Sequence, residues 1–263
     1  MHTIQLDRSF QMTHKSVEKA IAVLNCFSTE KQILGVGEVS RYTGYTKSTV
    51  SRLLSTLEKH GCVTRTKNLG KYQLGYRIQL WANMGARQNN LVNIARPIME
   101  KLRDKCGEEI ALYVIEGDRR VCVDRVESLH EIAKVGPVGT FYPLHAGASG
   151  KVLLAYLPAD KRNAIIRKGR LEKYTSLTIT DTKKLEKDLK AIRKKGYAVS
   201  RGEREPDAFS VTAPVWDASG RVVASISISG PNFRLTDKQL KKNIQEILAA
   251  SKEVSNKLGY VGN

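Results

Sequence analysis

Apolar positions follow a helical period through the first hundred residues, and after Glu109 they switch to a period of two. Val50, Leu53, Leu54 and Leu57 fall at i, i+3, i+4 and i+7, one stripe of a helix that runs from Lys47 to the glycine at 61. Thr46 stands where an N-cap is wanted, and Gly61 where a left-handed residue closes a helix. Ahead of it, GEVSRYTG predicts a shorter helix with Val39 and Tyr42 inward, separated from the next by a Gly-containing turn. Earlier still, Val17, Ala20, Ile21, Leu24 and Phe27 predict a first helix capped by Ser16, after a polar lead over 1–14 that reads as flexible. Beyond Gly61, Val63 and Tyr72/Leu74 mark two short strands joined by the basic link TKNLGK. Residues 75–91 form a linker helix in which Ile78, Leu80, Trp81 and Met84 make a large apolar side. That side suits packing on a second copy of the same helix, or equally on its own domain. A further helix follows, kinked or divided by Pro97 and ended by Gly107.

The rear of the chain mixes both periods. EIALYVIEGDRRVCVDRVES reads as two strands about a Gly-Asp turn, and HEIAKVGPVGTFYPLHAGASG adds a strand and a Gly/Pro-rich loop. KVLLAYLP begins a short helix that stops before Pro158, and a short basic helix covers 160–168. TITDTKKLEKDLKAIRKKGYAVSR is a helix-to-strand unit, capped at Thr180 or Asp181, striped by Leu185, Leu189 and Ile192, and closed at Gly196. A β-hairpin turns at DASG, and a last helix runs from about Asp237 to Leu258 with Leu240, Ile244, Ile247, Leu248 and Val254 inward. The fold class is α+β: a helical DNA-binding-type domain over 15–74, the linker helix 75–91, and a sensor-like domain over 92–263.

Charge sharpens this. The net charge of +18 exceeds what solubility needs and fits a polyanionic partner. Residues 1–90 carry 13 Lys and Arg against 5 Asp and Glu, a denser excess than the rear. Cys26, Cys62, Cys106 and Cys122 show no CxxC or Cys/His spacing, so they read as reduced, buried hydrophobes and no metal is expected. No run is long and apolar enough for a membrane span or a signal peptide, which points to a cytoplasmic protein.

The outer face of the helix from Lys47 carries chemistry that DNA uses. Lys47, Ser48, Thr49, Ser51 and Arg52 offer hydroxyls and cations for phosphates and base edges, and an arginine can read guanine bidentately. Helix, short turn, helix with that face is the helix-turn-helix pattern, though an ordinary helical hairpin with a solvated face has the same periodicity. Strand, basic loop, strand behind it has the form of a wing, placing Arg65, Lys67 and Lys71 against phosphates or the minor groove. HAGASGKV lacks the first glycine and the Ser/Thr of a phosphate loop. His145 and Ser149 suit a structural or ligand-binding role better than a catalytic pair, and no catalytic constellation stands out.

Several motifs in order resemble the IclR family of bacterial transcriptional regulators over about residues 14–260: YTKSTVSRLLSTLEKHG, GKYQLG, PLHAGASGKVLLA, TITD, IRKKGYAVS, APVWDASGRVVASISISGP, and Arg-Leu-Thr at 234–236. The resemblance implies a winged helix-turn-helix domain joined by a helix to a GAF-like effector domain. It implies homodimers or homotetramers on a double-stranded DNA operator, no enzymatic activity and no cofactor. Members repress, activate or do both; repression is the expectation here. A small metabolite, an organic or aromatic acid, is expected in the rear domain. The family pattern places it against Ala148, Ser149, Ser200, Ser210, Ser227 and Ser229, with Lys134 and Tyr142 on the facing segment. Ser200 stands where the family often has an acid, Ser210 where it often has Cys, and Asp207 where Gly is usual. Each of those serines also fits a strand hydroxyl bonded to its own neighbourhood. The alternative architecture is a metabolite-binding or catalytic domain tethered to DNA by the front module.

Overall fold

The computed structural model describes residues 14–28, 31–66, 70–88, 90–131, 137–168 and 171–262. The chain divides into two compact units, residues 1–88 and 89–263.

The first unit holds α1 (Lys15–Leu24), α2 (Val36–Thr43), α3 (Lys47–Lys59), the hairpin β1 (Val63–Arg65) and β2 (Tyr72–Leu74), and α4 (Tyr76–Gln88). Its core gathers Val23, Phe27, Leu34, Val39, Val50, Leu54, Val63 and Tyr72. Two expectations change here. Ser16 does not cap α1, which begins at Lys15 after His14 without a side-chain cap. The inward positions are Val23 and Phe27, with Leu24 partly buried against the same core, and the expected Val17 and Ile21 are not among them. Val17 and Ile21 are exposed, because the helix turns its β-branched Val23 to the core instead. Tyr42 likewise lies outside, its ring 4.3 Å from Lys31 Nζ, while Val39, with Val36 partly buried, anchors α2. The wing tip, residues 67–69, and the lead before His14 fall outside the described residues. On α4 the apolar side chains of Leu80, Trp81 and Met84 are exposed.

The second unit is built on one antiparallel sheet of order β5-β4-β3-β8-β7-β6. Its strands are β3 (Glu109–Glu116), β4 (Arg119–Val126), β5 (Phe141–Pro143), β6 (Ala198–Arg201), β7 (Ala208–Trp216) and β8 (Val222–Pro231). Helices α5 (Asn90–Cys106) and α9 (Asp237–Lys257) cover one face, α6 (Ala148–Tyr156) and α8 (Thr182–Lys195) the other, and α7 (Ala159–Lys168) follows α6. Pro97 does not divide α5; it is exposed, so the missing N–H costs the helix one bond on its wet side. Alternation along β8 explains the layering. Ala224, Ile226 and Ile228 join the core against α5 and α9, and the serines between them face α6. The Arg-Leu-Thr motif ties the layers together. Arg234 holds Glu108 bidentately at 2.7 and 2.8 Å, Leu235 is buried, and Thr236 caps α9.

Candidate DNA-binding face and effector cleft

Gly44 ends α2 at φ +72, a conformation that costs glycine least, and the chain turns through Tyr45 to Thr46. Ser40 Oγ donates to Tyr45 O at 2.6 Å and fixes that turn. Thr46 Oγ1 accepts from Thr49 N at 3.3 Å, so the expected cap is present. Thr46→Ala is expected to cost the first unit about 1 kcal/mol, read from the urea midpoint of its transition. Lys47, Ser48, Ser51 and Arg52 form an exposed face on α3, opposite buried Val50 and Leu54, and Thr49 lies at its edge, its hydroxyl 3.0 Å from that of Thr46. Among the described residues neither Lys47 nor Arg52 has a carboxylate partner. The wing cations differ. Arg65 Nη2 donates to Tyr72 OH at 2.6 Å and lies 3.7 Å from Glu58, and Lys71 pairs with Glu38 at 3.3 Å. Lys67 lies outside the described residues.

In the second unit, register puts side chains of four strands into one row. Glu109 pairs with Ser229, Ser229 with Ser210, and Ser210 with Ser200. The next row is Ala111, Ser227, Thr212 and Ala198. Above them stands the first turn of α6, entered through Gly147 at φ +84. A cleft of about 70 Å³ opens between sheet and helix. Its walls include Ser149, Ser200, Ser210 and Ser229. Of the other expected residues, Ala148 donates its N–H to Ser210 Oγ at 3.3 Å, and Ser227 lies behind the wall between Thr212 (2.9 Å) and Ser229 (3.3 Å). Tyr142 stacks under the guanidinium groups of Arg120 and Arg204 without lining the cleft. Lys134 lies outside the described residues. His145 and Ser149 do not form a pair. His145 Nε2 meets Glu172 O at 2.9 Å, and Ser149 Oγ lies 3.5 Å from Thr212 Oγ1.

Sequence reasoning missed the charged half of this cleft. Lys151 is buried and bonds Glu203 and Asp188, and Glu203 also accepts from Gly147 N at 3.1 Å. Thr178 Oγ1 donates to Glu203 O at 2.6 Å, so the TITD segment holds the Glu203 loop. Arg120 is buried and has no carboxylate partner among the described residues, its Nη1 donating to Pro143 O (2.7 Å) and Ala146 O (2.9 Å). Burial pulls its pKa down to about 10, so it stays cationic at neutral pH. A Cβ at Gly150 would stand 2.3 Å from Arg120 Nη1, which is why that helix position is glycine. Burial raises Glu109 to about 7 despite Arg125 at 3.6 Å.

The chain matches the sequence model for the C-terminal part of the bacterial transcriptional regulator IclR over residues 85–256, and that for the IclR helix-turn-helix domain over 16–67. It belongs to the IclR family of transcriptional regulators. Among its relatives, the HTH-type transcriptional regulator KipR of Bacillus subtilis is 32% identical, covering 95% of this chain and 99% of that protein. The transcriptional repressor IclR of Escherichia coli is 27% identical over 94% of this chain and 90% of its own. A crystal structure of an IclR homolog complexed with 4-hydroxybenzoate, from Microbacterium hydrocarbonoxydans, superposes with a TM-score of 0.84 at 24% identity, covering 92% of this chain and 98% of that one, and shares the fold. These relatives are named as a transcriptional regulator and a transcriptional repressor. Among the described residues no helix is long and apolar enough to cross a membrane, and no His, Cys, Asp and Glu cluster could hold a metal.

Proposed function

We propose that this IclR-family regulator is a sequence-specific repressor that binds a double-stranded DNA operator through α3 and the wing, in the cytoplasm. One observation carries the reading: the exposed α3 face of Lys47, Ser48, Ser51 and Arg52 keeps both cations without carboxylate partners among the described residues. Thr46 and Thr49 add hydroxyls at the α3 N-terminus, where phosphate is favoured. Arg65, Lys67 and Lys71 extend the contact along the backbone, with Arg65 and Lys71 trading their present partners for phosphates. The uncovered apolar side of α4 supports pairing of two copies, and with it a symmetric operator; tetramers would follow from pairing of the second units. Repression takes support from the Escherichia coli relative's name.

A small acid bound in the second unit modulates operator affinity. The row of hydroxyls beneath the α6 N-terminus supports this, as does the complex of a fold relative with 4-hydroxybenzoate. Ser149, Ser200, Ser210 and Ser229 are its proposed contacts, with Ala148 N–H and Ser227 Oγ holding Ser210 and Ser229. Binding of the acid shifts the population between two arrangements of the DNA-binding pair.

Gel shifts on DNA from upstream of the protein's own gene test the first half. Arg52→Ala is expected to weaken binding by roughly 1–3 kcal/mol and to relax preference at one base position. Lys67→Ala should weaken all DNA alike and lower the salt slope by about 1. Unchanged binding for both variants across salt concentrations would remove the assignment.

A further inference from the structure

The effector cleft is walled by charge and hydroxyl groups, where small-molecule sites are usually walled by hydrocarbon. Most of its charges are already paired. Glu203 is held by Lys151 and Gly147 N, and Arg204 by Glu205. Among the described residues, two side chains of the wall each carry a buried polar atom without a hydrogen-bond partner. Glu109 Oε2, on a residue 4% exposed, accepts from no donor, with Arg125 Nη1 at 3.6 Å as its nearest cation. Arg120 Nε, on a residue 3% exposed, donates to no acceptor, although Nη1 of the same guanidinium is satisfied twice. Two residues of one cleft wall therefore each carry an unmet polar atom, and a buried polar atom left unmet is costly. Glu109 sits beside Ser229 in the hydroxyl row, so the unmet acceptor belongs to the same wall as the serines.

We propose, resting on the effector reading above, that the effector is a small aliphatic acid bearing a hydroxyl or amino group besides its carboxylate. The carboxylate lies toward Arg120 and the first turn of α6, and the second group donates to Glu109. An unsubstituted aromatic acid would press hydrocarbon on Glu109 and leave its oxygen unmet. The cleft of about 70 Å³ also favours a short skeleton.

Isothermal titration of the full-length protein with matched acids tests this: propanoate, 2-hydroxypropanoate and alanine; succinate, malate and aspartate; and benzoate as the apolar control. In at least one series the hydroxy or amino acid should bind about tenfold or more tightly than its donor-free parent. Glu109→Ala should bring that ratio close to one. If Glu109→Ala does not fold, Glu109→Gln replaces it; it should weaken an amino acid several-fold more than a hydroxy acid, since it removes the charge and keeps an acceptor. Benzoate or the donor-free parents binding as tightly, or a ratio indifferent to the Glu109 variant, overturns this inference alone. No acid binding at all, or binding that leaves the gel shift unchanged, overturns the effector reading with it.

Discussion

Replacing Lys151 by Met is expected to destabilise the second unit by about 3–5 kcal/mol. Lys151 is 2% exposed and its ammonium is shared by Glu203 and Asp188. Met keeps most of the volume but strands the Glu203 carboxylate, which is buried and has only Gly147 N left for that group. A buried charge without its partner costs far more than the pair contributed, because desolvation is no longer offset. The double variant Lys151→Met/Glu203→Gln removes the stranded charge, so it should regain a substantial part of the loss. Urea unfolding followed by tryptophan fluorescence gives the comparison, since Trp216 reports on the second unit. A loss under about 1 kcal/mol for the single variant, or a double variant no better than the single, would show that this ion pair is not a structural tie.

The second large effect is a pH dependence centred on Glu109. Burial raises its pKa in the folded protein to about 7 from 4.5. Arg125, which faces it, and Arg204 oppose the rise, and Glu127 and Glu205 add to it. A carboxyl that holds its proton more tightly when folded favours the fold at low pH. Its contribution is complete below about 4.5 and is lost as pH climbs through about 7. Across that window the wild type should lose roughly 2–3 kcal/mol relative to Glu109→Gln, which cannot ionise. Paired urea titrations of the two proteins at pH 5 and pH 8 measure it. A gap that stays constant, or widens in the wild type's favour at pH 8, would contradict the burial of an ionisable group at this place.

Much of the fold is legible in residues close together in the chain. The stripe Val50, Leu53, Leu54 and Leu57 defines α3 because helix period and burial agree. Leu185, Leu189 and Ile192 do the same for α8, with Asp181 as its cap and Gly196 as its end. The wing strands and the hairpin at 217–220 follow from turn residues between alternating runs. Local reading fails where one helix offers two apolar stripes. In α1, Val17 and Ile21 are as apolar as Val23 and Phe27, and only packing in the folded unit buries the second pair. Tyr42 is a similar case, since Val39 and Val36 are the apolar side chains that α2 turns to the core.

The candidate sites divide along the same line. For the candidate DNA-binding face the sequence was sufficient to place Lys47, Ser48, Ser51 and Arg52 on one exposed side of a helix, because one helix carries them all and its buried side settles what is left outside. Only the folded unit separates them from Arg65 and Lys71, whose partners Tyr72, Glu58 and Glu38 come from other elements. In the cleft, the alternation SISIS announced a strand with one hydroxyl face. What that face meets was decided by pairing across strands, which sets Glu109 beside Ser229, and by chain crossings that bring Arg120, Lys151 and Glu203 together from β4, α6 and the loop after β6. Propensity and periodicity act over a turn or two of chain and can be read along it. Partners of buried charges are chosen by desolvation across long sequence separations, so tertiary structure alone determined them.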